Sequence, residues 1–186
     1  MAPGLSVIIP CYNEAERLAD TLEAIGKFAS RTRDFHRGIE WIFVDDGSTD
    51  ETLRLIEAHA AIEPDTRVVA LPANQGKGAA IVAGDAIACA PIRAFTDCDL
   101  ATPLEALEEL PRLFGEYRAD LVIGSRHTPW SRLIRAQPAV RRLAGRLFSF
   151  VMAHFHRSAF TDTQCGFKAW TVGFSESVVQ RLDQSG

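Results

Sequence analysis

The chain has 186 residues, 47% hydrophobic and 24% charged, which is the length of one domain and the composition of a soluble globule; disordered and fibrous classes are excluded. It is long enough to bury a core without disulfide or metal staples. The formal charge of −4 (20 basic against 24 acidic side chains) argues against a nucleic-acid binder.

Ser6-Val7-Ile8-Ile9, closed by Pro10, predicts a buried strand. From Glu14 to Phe28, Leu18, Leu22 and Ile25 recur at helical spacing. Ile39 to Val44 predicts a second strand, and Thr49 or Asp50 caps a helix carrying Leu53, Ile56 and Ala60. Arg67 to Leu71 is a third strand, Ala79 to Ala90 a third helix and Ile92 to Thr96 a fourth strand. Pro103 opens a helix at its first turn, with Leu104, Leu107 and Leu110, and Leu121 to Gly124 is a fifth strand. Regular strand–helix alternation predicts an α/β fold, a mostly parallel central sheet with helices on both faces.

Four cysteines without a C-x-x-C pair read as reduced thiols of a cytosolic protein. The N-terminus has no basic n-region or long h-region, so no signal peptide is expected. The longest apolar candidate, Leu147 to Phe155, is too short for a membrane span.

Ligands of open α/β sheets bind at the carboxyl ends of the strands. The segments there are Pro10-Cys11-Tyr12-Asn13-Glu14, Asp45-Asp46-Gly47-Ser48, Asn74-Gln75-Gly76-Lys77-Gly78, Asp97-Cys98-Asp99 and Gly124-Ser125-Arg126. Asp97 and Asp99, one residue apart in a bend, are either turn residues or ligands for a hard cation such as Mg²⁺ or Mn²⁺. Asp45 and Asp46 open a turn and helix cap, or offer an acid to a nucleobase or ribose. The 74–78 segment lacks the order of a P-loop and the third glycine of a dinucleotide fingerprint. It is either a flexible turn or a set of backbone N–H groups with Lys77 near a phosphate. Arg126 is a solvated loop residue or a phosphate clamp.

Residues 126–161 contain seven arginines and no acid. Val140 to Phe155 predicts a helix with Leu143, Leu147 and Phe150 on one face and Arg142 and Arg146 on another. Two readings stay open: a core helix with a basic outer face, or a helix lying on an anionic membrane surface.

As an ordered set, Pro10-x-Tyr12-Asn13-Glu14, Val44-Asp45-Asp46-Gly47-Ser48-x-Asp50, Asn74-x-Gly76-Lys77-Gly78 and Asp97-x-Asp99 resembles family 2 glycosyltransferases of the GT-A fold. Gly124-Ser125-Arg126 and Asp162-Thr163-Gln164-Cys165-Gly166-Phe167-Lys168 resemble the branch acting on polyprenyl phosphates, dolichyl-phosphate glucosyltransferases above all. The resemblance implies an inverting transfer from a nucleotide sugar to a lipid phosphate, with UDP-glucose favoured and GDP-mannose second. A family 2 transferase with a soluble saccharide acceptor is the alternative. By the family pattern Pro10, Tyr12, Glu14 and Asp46, with Asp45 beside it, hold the nucleoside, and Lys77 approaches the phosphates. Asp97 and Asp99 hold Mg²⁺ or Mn²⁺ on the diphosphate, and Arg126 and Lys168 face acceptor or donor phosphates. Asp99, Arg126, Asp162 and Lys168 are the implied catalytic set, Asp162 orienting the acceptor, a lysine or the metal shell. The implied place is cytoplasmic, peripheral at the cytoplasmic face of a membrane. Residues 1–126 would then be the nucleotide-sugar core. Residues 127–186 would be an acceptor- and membrane-proximal part of the same domain, cut short at its C-terminal end.

The net charge divides along the same line. Residues 1–117 carry 10 basic and 20 acidic side chains, or −10, and residues 118–186 carry 10 and 4, or +6.

Overall fold

The expected strands form. In the computed structural model, residues 3–32, 38–125 and 165–183 are described. The chain divides into two compact units, one of residues 1–122 with 166–186 and one of residues 123–165. The first carries nearly all the described residues.

Its elements are β1 (Leu5–Cys11), α1 (Ala15–Arg31), β2 (Ile39–Asp45), α2 (Thr52–Ala60), β3 (Thr66–Ala70), α3 (Lys77–Ile87) and β4 (Ile92–Thr96). A 3₁₀ turn (Leu104–Glu109), α4 (Leu110–Tyr117), β5 (Leu121–Ile123), β6 (Phe167–Thr171) and α5 (Val172–Asp183) follow. The six-stranded sheet has the order β3-β2-β1-β4-β6-β5. β1–β2, β2–β3 and β1–β4 pair in parallel, and β4–β6 antiparallel. The β1–β4 ladder ends at Ile8–Phe95, short of Pro10, whose nitrogen has no hydrogen to donate.

The two-residue period of β2 serves both faces. Trp41 and Phe43 meet α1 and α2, with edge contacts of 6.3 Å to Phe28 and 6.2 Å to His59. Ile42 and Val44 point the other way and join Ile8, Ala80, Phe95 and Trp170 in the core under α3. Ile8, Phe43 and Val44 are completely buried, each side chain contributing about 1.5–3 kcal/mol by leaving water.

Two features depart from expectation. The helix expected to start at Pro103 becomes a 3₁₀ turn, and the α-helix begins only at Leu110. Pro111 lies in the first turn of α4; further inside a helix its ring would strike the carbonyl four residues back. The sixth strand was not foreseen. β6 lies between β4 and β5 and sets Ala169 opposite Ala94, both fully buried. It is fastened by Trp170, whose Nε1–H donates to Asp85 Oδ1 at 3.0 Å, while Arg93 NH1 stands 3.0 Å from Asp85 Oδ2.

Strand order places β2 and β3 on one side of β1 and β4 on the other. The connections therefore reverse direction between β1 and β4, and a crevice at their carboxyl ends is the position where such sheets hold ligands.

Candidate functional site

The first loop at this edge is sewn to the second. Asn13 adopts φ 53°, a left-handed conformation asparagine tolerates well. Its N–H donates to Ser48 Oγ at 3.0 Å, and its Oδ1 accepts from the Thr49 N–H at 2.8 Å. The N–H groups of Glu14 and Ala15 donate to Thr52 Oγ1 (2.8 Å) and Asp50 Oδ2 (3.2 Å). The start of a helix leaves N–H groups without partners, and here the neighbouring loop supplies acceptors for those entering α1. The N-cap of α2 is Glu51, one residue after the expected Thr49 or Asp50, but Asp50 Oδ1 still accepts from the Thr52 N–H at 3.0 Å, so this side chain serves the starts of two helices. Tyr12, beside this seam, is 45% exposed. Glu14 is half-buried; Arg17 Nε stands 3.2 Å from Glu14 Oε2, out of hydrogen-bond alignment.

The two adjacent acids after β2 divide their work. Asp46 is buried and clamps the loop before α3: Oδ1 accepts from Gln75 N–H at 2.8 Å and Oδ2 from Gly76 N–H at 2.9 Å. Both of its oxygens are thus committed to backbone. Gly47, at φ 69°, lets that loop come close, since a Cβ would stand 2.5–2.7 Å from the backbone of Ala73 and Asn74. Asp45 is also buried; its Oδ2 accepts from Ser48 N–H at 3.1 Å, and its Oδ1 has no donor among the described residues. An acceptor buried without a donor is costly and calls for a reason.

Past β4 the chain bends sharply. Asp97 C=O accepts from Leu100 N–H at 3.0 Å, Leu100 has φ 47°, and Asp99 Oδ1 accepts from Ala101 N–H at 3.0 Å. Cys98 is buried, and its carbonyl accepts from Thr21 Oγ1 at 2.6 Å, which ties the bend to α1. The β1–β4 register, carried forward, brings Cys11 beside Cys98. The hydrogen bond between their thiols, with burial, pushes the Cys11 thiol up, and the same bond pulls the Cys98 thiol down. Two buried thiols therefore lie between the two loops.

Asp97 gathers partners from two places, the residue before β6 and the start of α3. Its N–H donates to Gly166 O at 3.2 Å. Its Oδ2 lies so near Gly166 Cα that a Cβ there would overlap it. Its Oδ1 accepts from the ammonium of Lys77, the first residue of α3. The Phe95 ring, two residues back, has Lys77 Nζ at 4.9 Å and Lys168 Nζ at 5.2 Å from its centroid. Lys168 faces Phe95 across the β4–β6 ladder.

The structure thus brings Lys77, Asp97 and Lys168 around one aromatic ring, with Asp99 exposed on the same bend. Pro10, Tyr12, Glu14, Asp45 and Asp46 lie at the ends of β1 and β2. Arg126, Asp162 and the basic 140–155 segment lie outside the described residues. Among the described residues no three or more His, Cys, Asp or Glu side chains are gathered around one point. Asp97 and Asp99 therefore offer a partial set of hard oxygen donors. That suits an ion that keeps waters or phosphate oxygens in its remaining positions, and the cation already on Asp97 Oδ1 marks where positive charge is accepted. Among the described residues no helix is long and apolar enough to cross a membrane.

The sequence profile of Glycosyl transferase family 2 matches residues 6–164. A dolichyl-phosphate beta-glucosyltransferase of Drosophila melanogaster is 34% identical over 180 residues, covering 90% of this chain and 54% of its own length. One of Trichomonas vaginalis is 30% identical over 171 residues, covering 88% and 50%. The chain thus spans about half the length of the curated relatives it matches. The mannosyltransferase PcManGT from Pyrobaculum calidifontis, solved in complex with GDP-Man and Mn²⁺, superposes with a TM-score of 0.64 at 20% identity, covering 96% of this chain and 47% of that one. A likeness at this identity bears on the fold, and it agrees with the architecture above.

Proposed function

The chain belongs to glycosyl transferase family 2, and on that premise we propose that it transfers a sugar from a nucleotide sugar to a polyprenyl phosphate at a membrane surface. The observation that carries the reading is the Asp97-Cys98-Asp99 bend at the β1/β4 reversal point, with the Lys77 ammonium on Asp97 Oδ1. Tyr12, Glu14 and Asp45 stand at the carboxyl ends of the neighbouring strands β1 and β2, and two lysines suited to phosphate charge flank the Phe95 ring.

Each residue has a distinct task in this reading. Asp45 Oδ1, an acceptor with no donor among the described residues, is offered to the nucleoside in this reading, and the half-exposed Tyr12 ring offers it an apolar face. Asp46 acts one step removed, by shaping the loop that presents Lys77. Asp97 and Asp99 hold Mg²⁺ or Mn²⁺, and when bound that ion neutralises the charge on the departing nucleoside diphosphate. Lys77 and Lys168 add positive charge beside the same phosphates. A phosphate monoester acceptor carries about −1.5 to −2 at pH 7, so its oxygen attacks the anomeric carbon with no general base required. Catalysis then rests on positioning and charge neutralisation.

The curated relatives favour dolichyl phosphate as acceptor and glucose as sugar; the GDP-Man complex of PcManGT keeps mannose second. The seven arginines within 126–161, without an acid among them, suit lipid phosphates and an anionic, cytoplasm-facing membrane surface. Arg126 and Asp162 belong to the acceptor side in this proposal, as does the 127–186 part as a whole. The test is a donor screen. Labelled UDP-glucose and GDP-mannose are each incubated with a short-chain polyprenyl phosphate and Mg²⁺ or Mn²⁺, and the organic phase is counted. Label in the lipid, absent with Asp99→Asn, supports the proposal. Label appearing only when a soluble saccharide is supplied contradicts it.

A further inference from the structure

Lys77 stands where a divalent cation would bind, and the surrounding geometry restricts the competition to one oxygen. Asp97 is fixed on one side: its N–H is held by Gly166 O at 3.2 Å, and its Oδ2 rests against Gly166 Cα with no room for a Cβ. Only Oδ1 is offered outward, and the Lys77 ammonium occupies it. The backbone that carries Lys77 is fixed too, because the preceding N–H groups of Gln75 and Gly76 are clamped by Asp46. What remains mobile is the lysine side chain. It is 46% exposed, Asp97 is 36% exposed, and the Phe95 ring face lies within 4.9 Å of the ammonium.

We propose that Lys77 is a resident counter-ion: it neutralises and orients Asp97 while the site is empty, yields that oxygen to a divalent cation, and moves to the phosphates of the donor that enters with it. The inference rests on the reading of Asp97 as a metal ligand. A half-exposed ion pair is weak enough to be exchanged, with a strength equivalent to roughly a factor of two to five in an equilibrium constant. A lysine released in this way couples the two ligands. The metal pays to displace it and the diphosphate gains it, so each promotes the other's binding to the same degree.

The consequence is a pair of opposite effects, which a merely structural lysine would not produce. Mn²⁺ alone, titrated by the loss of its free-ion EPR signal, should bind Lys77→Met about two- to fivefold more tightly than the wild-type chain. UDP or GDP in saturating Mn²⁺, measured by calorimetry, should bind Lys77→Met about tenfold more weakly, with Lys77→Arg recovering most of the loss. Because the pair is half-exposed, all three chains should melt within a few degrees of one another. Mn²⁺ binding to Lys77→Met that is equal to or weaker than wild type overturns the counter-ion role. Asp97→Asn is the separate control: undiminished Mn²⁺ binding there overturns the metal-ligand reading itself, as does the absence of Mn²⁺ binding from every chain.

Discussion

Asp46→Asn separates scaffolding from ligand binding at the end of β2. Asp46 is 3% exposed and makes two charge-assisted hydrogen bonds, at 2.8 Å to Gln75 N–H and 2.9 Å to Gly76 N–H. Asparagine keeps one acceptor and turns an NH₂ group toward the other N–H, so one bond is lost and two donors face each other. A hydrogen bond to a charged group contributes about 1.5–3 kcal/mol, and leaving its partner unsatisfied puts the loss toward the upper end. For a chain of this size each kcal/mol lowers Tm by about 2–4 °C, so a fall of roughly 5–10 °C follows. Asp45→Asn has a different signature. It replaces an oxygen that has no donor among the described residues, so Tm should stay within about 2 °C while binding of UDP or GDP with Mn²⁺ weakens by tenfold or more. Circular-dichroism melts and calorimetry on the same preparations check both. If Asp46→Asn melted with the wild type while losing nucleotide, or if Asp45→Asn were the less stable variant, the division of labour would be wrong.

Gly166→Ala should reposition the Asp97 carboxylate, since the new Cβ overlaps Oδ2; Mn²⁺ affinity measured by EPR should drop several-fold with only a modest loss in Tm. Wild-type Mn²⁺ affinity in that variant would show that β6 does not support Asp97. Folding should also carry a pH signature from His59, which packs edge-on against Phe43 and whose pKa burial lowers, with Glu63 pulling the other way. The folded chain resists protonation more than the unfolded one. Its stabilising contribution is therefore complete above the ordinary histidine value of about 6.5 and is lost as pH falls through the lower folded value. Urea midpoints at pH 7.5 and 5.5 should fall more for the wild type than for His59→Phe; equal falls refute this assignment.

Much of the scaffold was legible because β1, β2, β3 and β4 are apolar runs bounded by turn residues, and such runs report burial directly. The motif acids were legible for a related reason: strand ends are where polar residues must have a purpose. Pro111 is in plain view, yet the regular spacing of Leu104, Leu107 and Leu110 outweighs it and puts the helix start at Pro103, seven residues early. β6 was hidden because its sequence, Phe-Lys-Ala-Trp-Thr, is short and breaks alternation. Its place beside β4 is set by partners far along the chain, Asp85 and Arg93 for Trp170 and Ala94 for Ala169. The roles of Asp46 and Gly166 were hidden for the same reason. Nothing local in sequence says that two backbone N–H groups 29 and 30 residues on point at one carboxylate, or that a glycine 69 residues on abuts another.

The most direct measurement is calorimetric titration of UDP and GDP into the chain with and without Mn²⁺, repeated with Asp97→Asn and Asp99→Asn. The account predicts binding of at least one nucleotide that requires Mn²⁺ and weakens by more than tenfold in both variants. Binding of equal strength without metal, or undiminished in both variants, would contradict it.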